Sequence, residues 1–215
     1  MNAQSGVVHA PEVLQQPMRR LCARLAERGI ELGSCRALEF FAREGNWQTV
    51  RYADKVARLD AWEINPKFEA ALRRNLPQAA VRIGDSFALS QLPEFAGRFD
   101  FVVYDNPQVT FGDHNQYCEH FEALETLPRL MRERAVAIFN VNREPFDYEL
   151  FPEWQKRRNR FYQRGDTANL EDGFLRAFYA AYFQGLGLTM LDAFIEPRHE
   201  SYLSYFGAVV KKARA

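Results

Sequence analysis

The chain has 215 residues, of which 47% are hydrophobic and 26% charged. Those values exclude a disordered polypeptide and suit one α/β domain with a substantial core. Its 28 basic and 28 acidic residues cancel, which argues against a large nucleic-acid surface and leaves only a local basic patch open.

The first twenty residues contain no apolar stretch of signal-peptide length, and no run of about 18 apolar residues occurs anywhere. A membrane span is therefore not expected. The cysteines, Cys22, Cys35 and Cys118, are odd in number and have no CxxC spacing. They read as reduced thiols of a cytoplasmic protein, with neither a disulfide framework nor a zinc site. No His/Asp/Glu cluster has metal-ligand spacing, so no metal is expected.

In chain order, residues 1–16 read as a short extension. A helix is expected from Pro17 to Gly29, with proline at its start and glycine at its end. CRALEFF then reads as a buried strand, GNWQTVRYADKV as a helix and ARLDAWEI as a second strand. NPKFEAALRRN is a helix capped by Asn65, with Pro66 at its first position. AVRIGD is a short strand. The nearly all-apolar FDFVVYD is a strand buried on both faces. A long helix, bent at Pro128, is expected from Tyr117 to Arg134, followed by the strand AVAIFNV. The rhythm breaks over residues 143–172, an irregular, polar and aromatic insertion. DGFLRAFYAAYFQGLG is again a helix. LTMLDAFIEP and SYLSYFGAVVKK are two strands joined by a short turn around Arg198-His199-Glu200, spaced as an antiparallel hairpin.

Strands alternating with helices imply one Rossmann-like α/β domain. Its sheet would be mostly parallel and seven-stranded, with helices on both faces and the hairpin adding an antiparallel edge. Ligands of such sheets bind beyond the carboxyl ends of the strands. Four acids stand there: Glu39, Glu63, Asp85 and Asp105. Each alone is explained as a solvated loop cap; four at one sheet edge point to a site. Glu63 follows the second strand at about the distance from the first loop that a ribose-binding acid takes, because one carboxylate accepts from two neighbouring hydroxyls.

The order of these motifs resembles that of the class I S-adenosylmethionine-dependent methyltransferases over residues 30 to 212. Leu38-Glu39-Phe40-Phe41-Ala42-Arg43-Glu44-Gly45 is similar to the family's first strand end and glycine loop. Ala61-Trp62-Glu63-Ile64-Asn65 is similar to its ribose motif, Gly84-Asp85-Ser86-Phe87 to its adenine motif, and Val103-Tyr104-Asp105-Asn106-Pro107 to the end of its central strand. The resemblance implies S-adenosylmethionine as cofactor, held by Glu39, Phe40, Phe41, Gly45, Glu63, Ile64, Asp85 and Ser86. It implies methyl transfer to an N or O nucleophile at Asp105 and Asn106. Pro107, Gln108, Phe111, His114 and Trp154 would contact a small-molecule or nucleobase-like substrate, under a lid formed by residues 143–172. Two family glycines are replaced by Phe41 and Arg43, so either the loop is expected to follow a less demanding backbone path or the cofactor to sit slightly higher. The lost glycines keep a second reading open, that of a non-catalytic Rossmann-like binding or partner subunit, which the four retained strand-end acids oppose; at the end of the fourth strand one proline and Gln108 stand where the family's N-methyltransferases carry two prolines and a stacking aromatic. A nicotinamide-dependent dehydrogenase ranks behind both, because G-x-G-x-x-G is missing and the terminal hairpin does not suit it. Trp154, Phe161 and Tyr162 could equally pack inward from an amphipathic helix.

Overall fold

The computed structural model describes residues 12–105, 107–145, 148–198 and 202–213. Seven strands form one sheet: β1 (Arg36–Glu39), β2 (Arg58–Glu63), β3 (Ala80–Ile83), β4 (Phe99–Tyr104), β7 (Met131–Asn142), β8 (Leu188–Pro197) and β9 (Leu203–Lys212). Their spatial order is β3-β2-β1-β4-β7-β9-β8. The first five are parallel, and β9 lies antiparallel between β7 and β8. Two further strands, β5 (Thr110–Phe111) and β6 (Tyr117–Cys118), pair as a separate ribbon after β4.

The central strands are buried on both faces, which is why β4 and residues 135–141 of β7 are nearly all apolar. Alternation along β4 sends Phe101 and Val103 into one core with Ala37, Ala61 and Ile138, and sends Val102 and Tyr104 into the other with Leu38, Trp62 and Phe139. Close pairing decides one position on the hairpin. Gly207 faces Phe194 across it, and a Cβ there would stand 2.3 Å from the Phe194 ring.

Several elements differ from expectation. Helix α1 spans Glu12–Glu27 and contains Pro17 rather than starting at it, so part of the expected extension is helical. Gly29, at φ +68°, ends it as expected. The helix expected over residues 45–56 is a single 3-10 turn, Thr49–Arg51, followed by turns. Thr49 and Tyr52 both send their hydroxyls to Glu39, and the tight turn brings the two together. Asn65 does cap, through Lys67 N at 3.1 Å, but it caps a 3-10 turn that leads into α2 (Glu69–Asn75). The long helix expected over residues 117–134 is broken into β6, two single turns α4 (Phe121–Leu124) and α5 (Leu127–Leu130), and the start of β7. Glu119 lies between them in the left-handed region at φ +48°, and Pro128 brings no N–H. The insertion contains the helix α6 (Pro152–Phe161), and α7 (Asp172–Gly185) follows it. The short α3 (Ser86–Ser90) follows β3.

The three cysteines are free and buried, and burial raises the thiols of Cys22 and Cys35. Among the described residues no helix is long and apolar enough to cross a membrane, and no group of His, Cys, Asp and Glu could hold a metal ion.

Candidate active site

Beyond the carboxyl ends of β1 to β4 the sheet opens into a cavity of about 870 Å³, within the range of small-molecule sites, roughly 300–1,000 Å³. All four strand-end acids line it. So do Phe41, Gly45, Ile64 and Ser86 from the expected cofactor set, and Pro107, Gln108 and Phe111 from the expected substrate set.

Glu39 ends β1 and is only 2% exposed. Its Oε2 accepts hydrogen bonds from the Tyr52 hydroxyl and, at 3.2 Å, from Thr49 Oγ1. Burial, then the nearby Asp105 charge, pushes its carboxyl up to about 8, while the two hydroxyls pull the other way. Glu39 therefore holds a proton more readily than an ordinary carboxyl. Glu63 ends β2. Its Oε2 accepts from Arg43 N at 2.7 Å and its Oε1 from Asn65 N at 2.8 Å. An ionised carboxylate has about four lone-pair sites, so each oxygen keeps capacity for a ligand. Asp85 caps α3 through Phe87 N at 2.9 Å, and Ser86 Oγ donates to the Phe40 carbonyl.

The loop after β1 does not take the less demanding path expected of it. Arg43 sits in the left-handed region at φ +47°, where the family has a glycine. That turn aims its N–H at Glu63. Its guanidinium lies 3.4 Å from Glu44 and over the Phe68 ring. Gly45 is required twice: by φ +66° and by Leu72 and Leu76, each with a carbon 2.7 Å from where a Cβ would stand. Asn75 Nδ2 ties the loop down at the Glu44 carbonyl, 2.8 Å away.

Asp105 follows the central strand, as expected, but it is not a lone carboxylate. Its Oδ1 accepts from Arg198 Nη1 at 2.6 Å, Tyr205 hydroxyl at 2.7 Å and Asn140 Nδ2 at 2.8 Å. Asn140 and Tyr205 stand opposite each other on β7 and β9, and Arg198 directly follows β8. The sheet thus gathers all three around the end of β4. Arg198 itself lines the cavity.

Four sequence expectations are corrected or fall away. Phe40 is buried beneath the site, against Trp62 and Tyr104, because strand alternation turns it into the core while Phe41 faces the cavity. His114 sits exposed on the turn beyond β5 and does not line the cavity. Trp154 is 0% exposed and donates from Nε1 to Glu119 at 2.7 Å. It packs inward because Arg158, one turn later on α6, draws the helix onto Glu119. None of the described residues in 143–172 lines the cavity, so the lid expected from that segment is not where the cavity opens; the β5–β6 ribbon is. Asn106 lies outside the described residues, as do His199, Glu200 and Ser201 of the hairpin turn.

Sequence reasoning missed Thr49, Tyr52, Asn140, Arg198 and Tyr205. One signal was available: Asn140 interrupts an otherwise apolar buried strand, and a buried amide must find partners.

No protein-family model matches the chain, and no curated protein matches it in sequence. Solved structures do match. M. jannaschii TYW2 in complex with AdoMet is 14% identical, with 92% of this chain and 77% of that chain covered and a TM-score of 0.54. The magnesium protoporphyrin IX methyltransferase of Synechocystis PCC 6803 with bound SAH is 15% identical, with 91% and 82% covered and a TM-score of 0.54. Similarity at this identity establishes shape. Together with the strand order and the reversed β9, it shows that the chain has the fold of the class I S-adenosylmethionine-dependent methyltransferases.

Proposed function

We propose that the protein is an S-adenosylmethionine-dependent methyltransferase acting on an N or O nucleophile. The observation that carries this reading is the pairing of acid-lined strand ends with a β1 loop that opens into no α-helix. A pyrophosphate cofactor relies on a helix N-terminus and would be repelled by these acids. A ligand with a diol, an amino-purine and an ammonium group suits them. Glu63 would accept from the ribose hydroxyls, and Asp85 from the adenine amino group. Phe41, Ile64 and Phe87 offer apolar walls, and Ile64 is 63% exposed. Glu39 faces the ammonium end, where a bound cation favours its ionised form.

S-adenosylmethionine supplies an electrophilic methyl group: the acceptor's lone pair forms the new bond to carbon, the carbon–sulfur pair stays on sulfur, and the acceptor's proton passes to water. The chain's own contribution is placement and exclusion of solvent. Asp105, its charge already matched by Arg198, orients the acceptor rather than taking its proton. Phe41 and Phe111, edge to face at 5.6 Å, narrow the space between the two halves of the cavity.

Calorimetric titration with S-adenosylmethionine, S-adenosylhomocysteine and NAD tests the reading. Binding of the first two and not the third is expected. Binding of none sinks it in favour of a non-catalytic subunit. Glu63→Ala is expected to weaken S-adenosylhomocysteine by about 1.5–3 kcal/mol, the value of hydrogen bonds to a charged group.

A further inference from the structure

We infer that the methyl acceptor is a planar aromatic amine that carries neither phosphate nor carboxylate. This rests on the methyltransferase reading and deepens it. Two independent features of the cavity support it.

The first is a row of four half-buried rings that runs from Phe41 and Phe87, beside the proposed cofactor, to Phe111 and Tyr117 on the ribbon. Phe111 and Tyr117 face each other across the β5–β6 ribbon, with centroids 5.2 Å apart. Phe87 stacks on Tyr117 at 4.2 Å and 17°, and Phe41 meets Phe111 edge-on. All four line the cavity and none is fully buried. Rings held this way offer a preformed stacking surface, which costs a planar ligand little ordering. A ligand without a flat face gains much less from it.

The second is charge. Among the described residues the cavity is lined by six carboxylates and two arginines, with no lysine or histidine. Both arginines are already engaged by lining acids, Arg43 by Glu44 and Arg198 by Asp105. With Glu39 protonated the excess of negative charge remains. Asp113, beside Phe111 on the ribbon, adds to it on the acceptor side. An anionic acceptor would meet like charge and would have to displace an existing ion pair, whereas N–H donors meet acceptors at Asp105, Gln108 and Asp113. The ribbon therefore selects its ligand twice, by flatness and by sign.

The test uses protein saturated with S-adenosylhomocysteine and four probes: 6-aminoquinoline, cyclohexylamine, quinoline-6-carboxylate and adenosine 5′-monophosphate. Isothermal titration is expected to show 6-aminoquinoline binding about tenfold or more tighter than the other three, in keeping with the worth of one stacked ring. Phe111→Leu and Tyr117→Leu should each weaken 6-aminoquinoline by several fold while leaving S-adenosylhomocysteine affinity within about twofold. Equal or tighter binding of cyclohexylamine or of either anion overturns the inference, as does failure of 6-aminoquinoline to bind the loaded protein. Loss of S-adenosylhomocysteine affinity in both folded leucine variants also overturns it, by assigning the rings to the cofactor. If S-adenosylhomocysteine does not bind the parent protein, the methyltransferase reading has failed and the inference falls with it.

Discussion

Among the described residues two arginine–carboxylate pairs are buried on both sides, and they are buried in different ways. Arg158 is fully enclosed. Its Nη1 lies 2.5 Å from Glu119, its Nε donates to the Tyr148 hydroxyl and its Nη2 to the Asn142 carbonyl. Around it Trp154, Tyr162, Tyr179 and His120 form a sealed layer beneath the insertion. His120 Nε2 lies 2.6 Å from Tyr179, and burial then the Arg158 charge drive the imidazole well below its usual range. Arg198 and Asp105 are as closely paired, but on the wall of the cavity. One pair can only hold α6 against the sheet. The other can also meet a ligand. The difference separates two roles that look alike in their ion pairing: a charge kept for architecture and a charge kept where chemistry is expected.

The sharpest way to break the comparison is to remove each arginine in turn. Arg158→Met leaves Glu119 buried without its counter-charge and should cost about 3–5 kcal/mol in urea unfolding. S-adenosylhomocysteine affinity of the folded protein should not change. Arg158→Met with Glu119→Leu should recover most of the loss, because the orphaned charge goes with its partner. Arg198→Met should cost less, about 1–3 kcal/mol, since Asp105 keeps Tyr205 and Asn140 and can be reached by water from the cavity. Unlike Arg158→Met, it should lower turnover. Equal stability losses with unchanged turnover would mean that both pairs are architectural.

Glu39 extends the contrast to pH. Its folded carboxyl is raised from the ordinary 4.5 to about 8. Between those values the folded state holds a proton that the unfolded chain has released. Stability should therefore fall as pH rises through this window, by at most about 1.4 kcal/mol per pH unit. Glu39→Gln keeps an acceptor for Tyr52 and removes the ionisation, so its melting temperature should depend less on pH. An unchanged pH profile would show that Glu39 is not the group responsible. The smallest effect is expected at Arg43, held at φ +47° in the loop after β1. Arg43→Gly relieves the left-handed strain but frees the unfolded chain, and the two should nearly cancel, within about 1 kcal/mol. A loss well above that in chemical denaturation would show that the Glu44 and Phe68 contacts carry the loop.

The same division explains which expectations held. In the N-terminal half, two of the strand-end acids are satisfied by backbone N–H groups: Glu63 by Arg43 and Asn65, Asp85 by Phe87. Short-range chemistry of this kind leaves a trace in the order of residues, so strands β1 to β4 and their acids were legible. In the C-terminal half the decisive contacts join distant positions, Asp105 with Arg198 and Glu119 with Arg158. A helical period over residues 117–134 gave way to the left-handed Glu119, and Trp154 turned inward to reach it.

The sequence by itself determined the seven-stranded alternation, the terminal hairpin and the edge at which the acids collect. Hydrophobic period and punctuation by glycine, proline and asparagine act within a few residues. Only the tertiary structure decided that Tyr52 and Thr49 hold Glu39, that Arg198 answers Asp105, and that the β5–β6 ribbon rather than residues 143–172 borders the cavity. Those outcomes follow from a requirement with no local signature: a charge or hydroxyl buried by folding takes its partner from whichever strand or loop the sheet brings beside it.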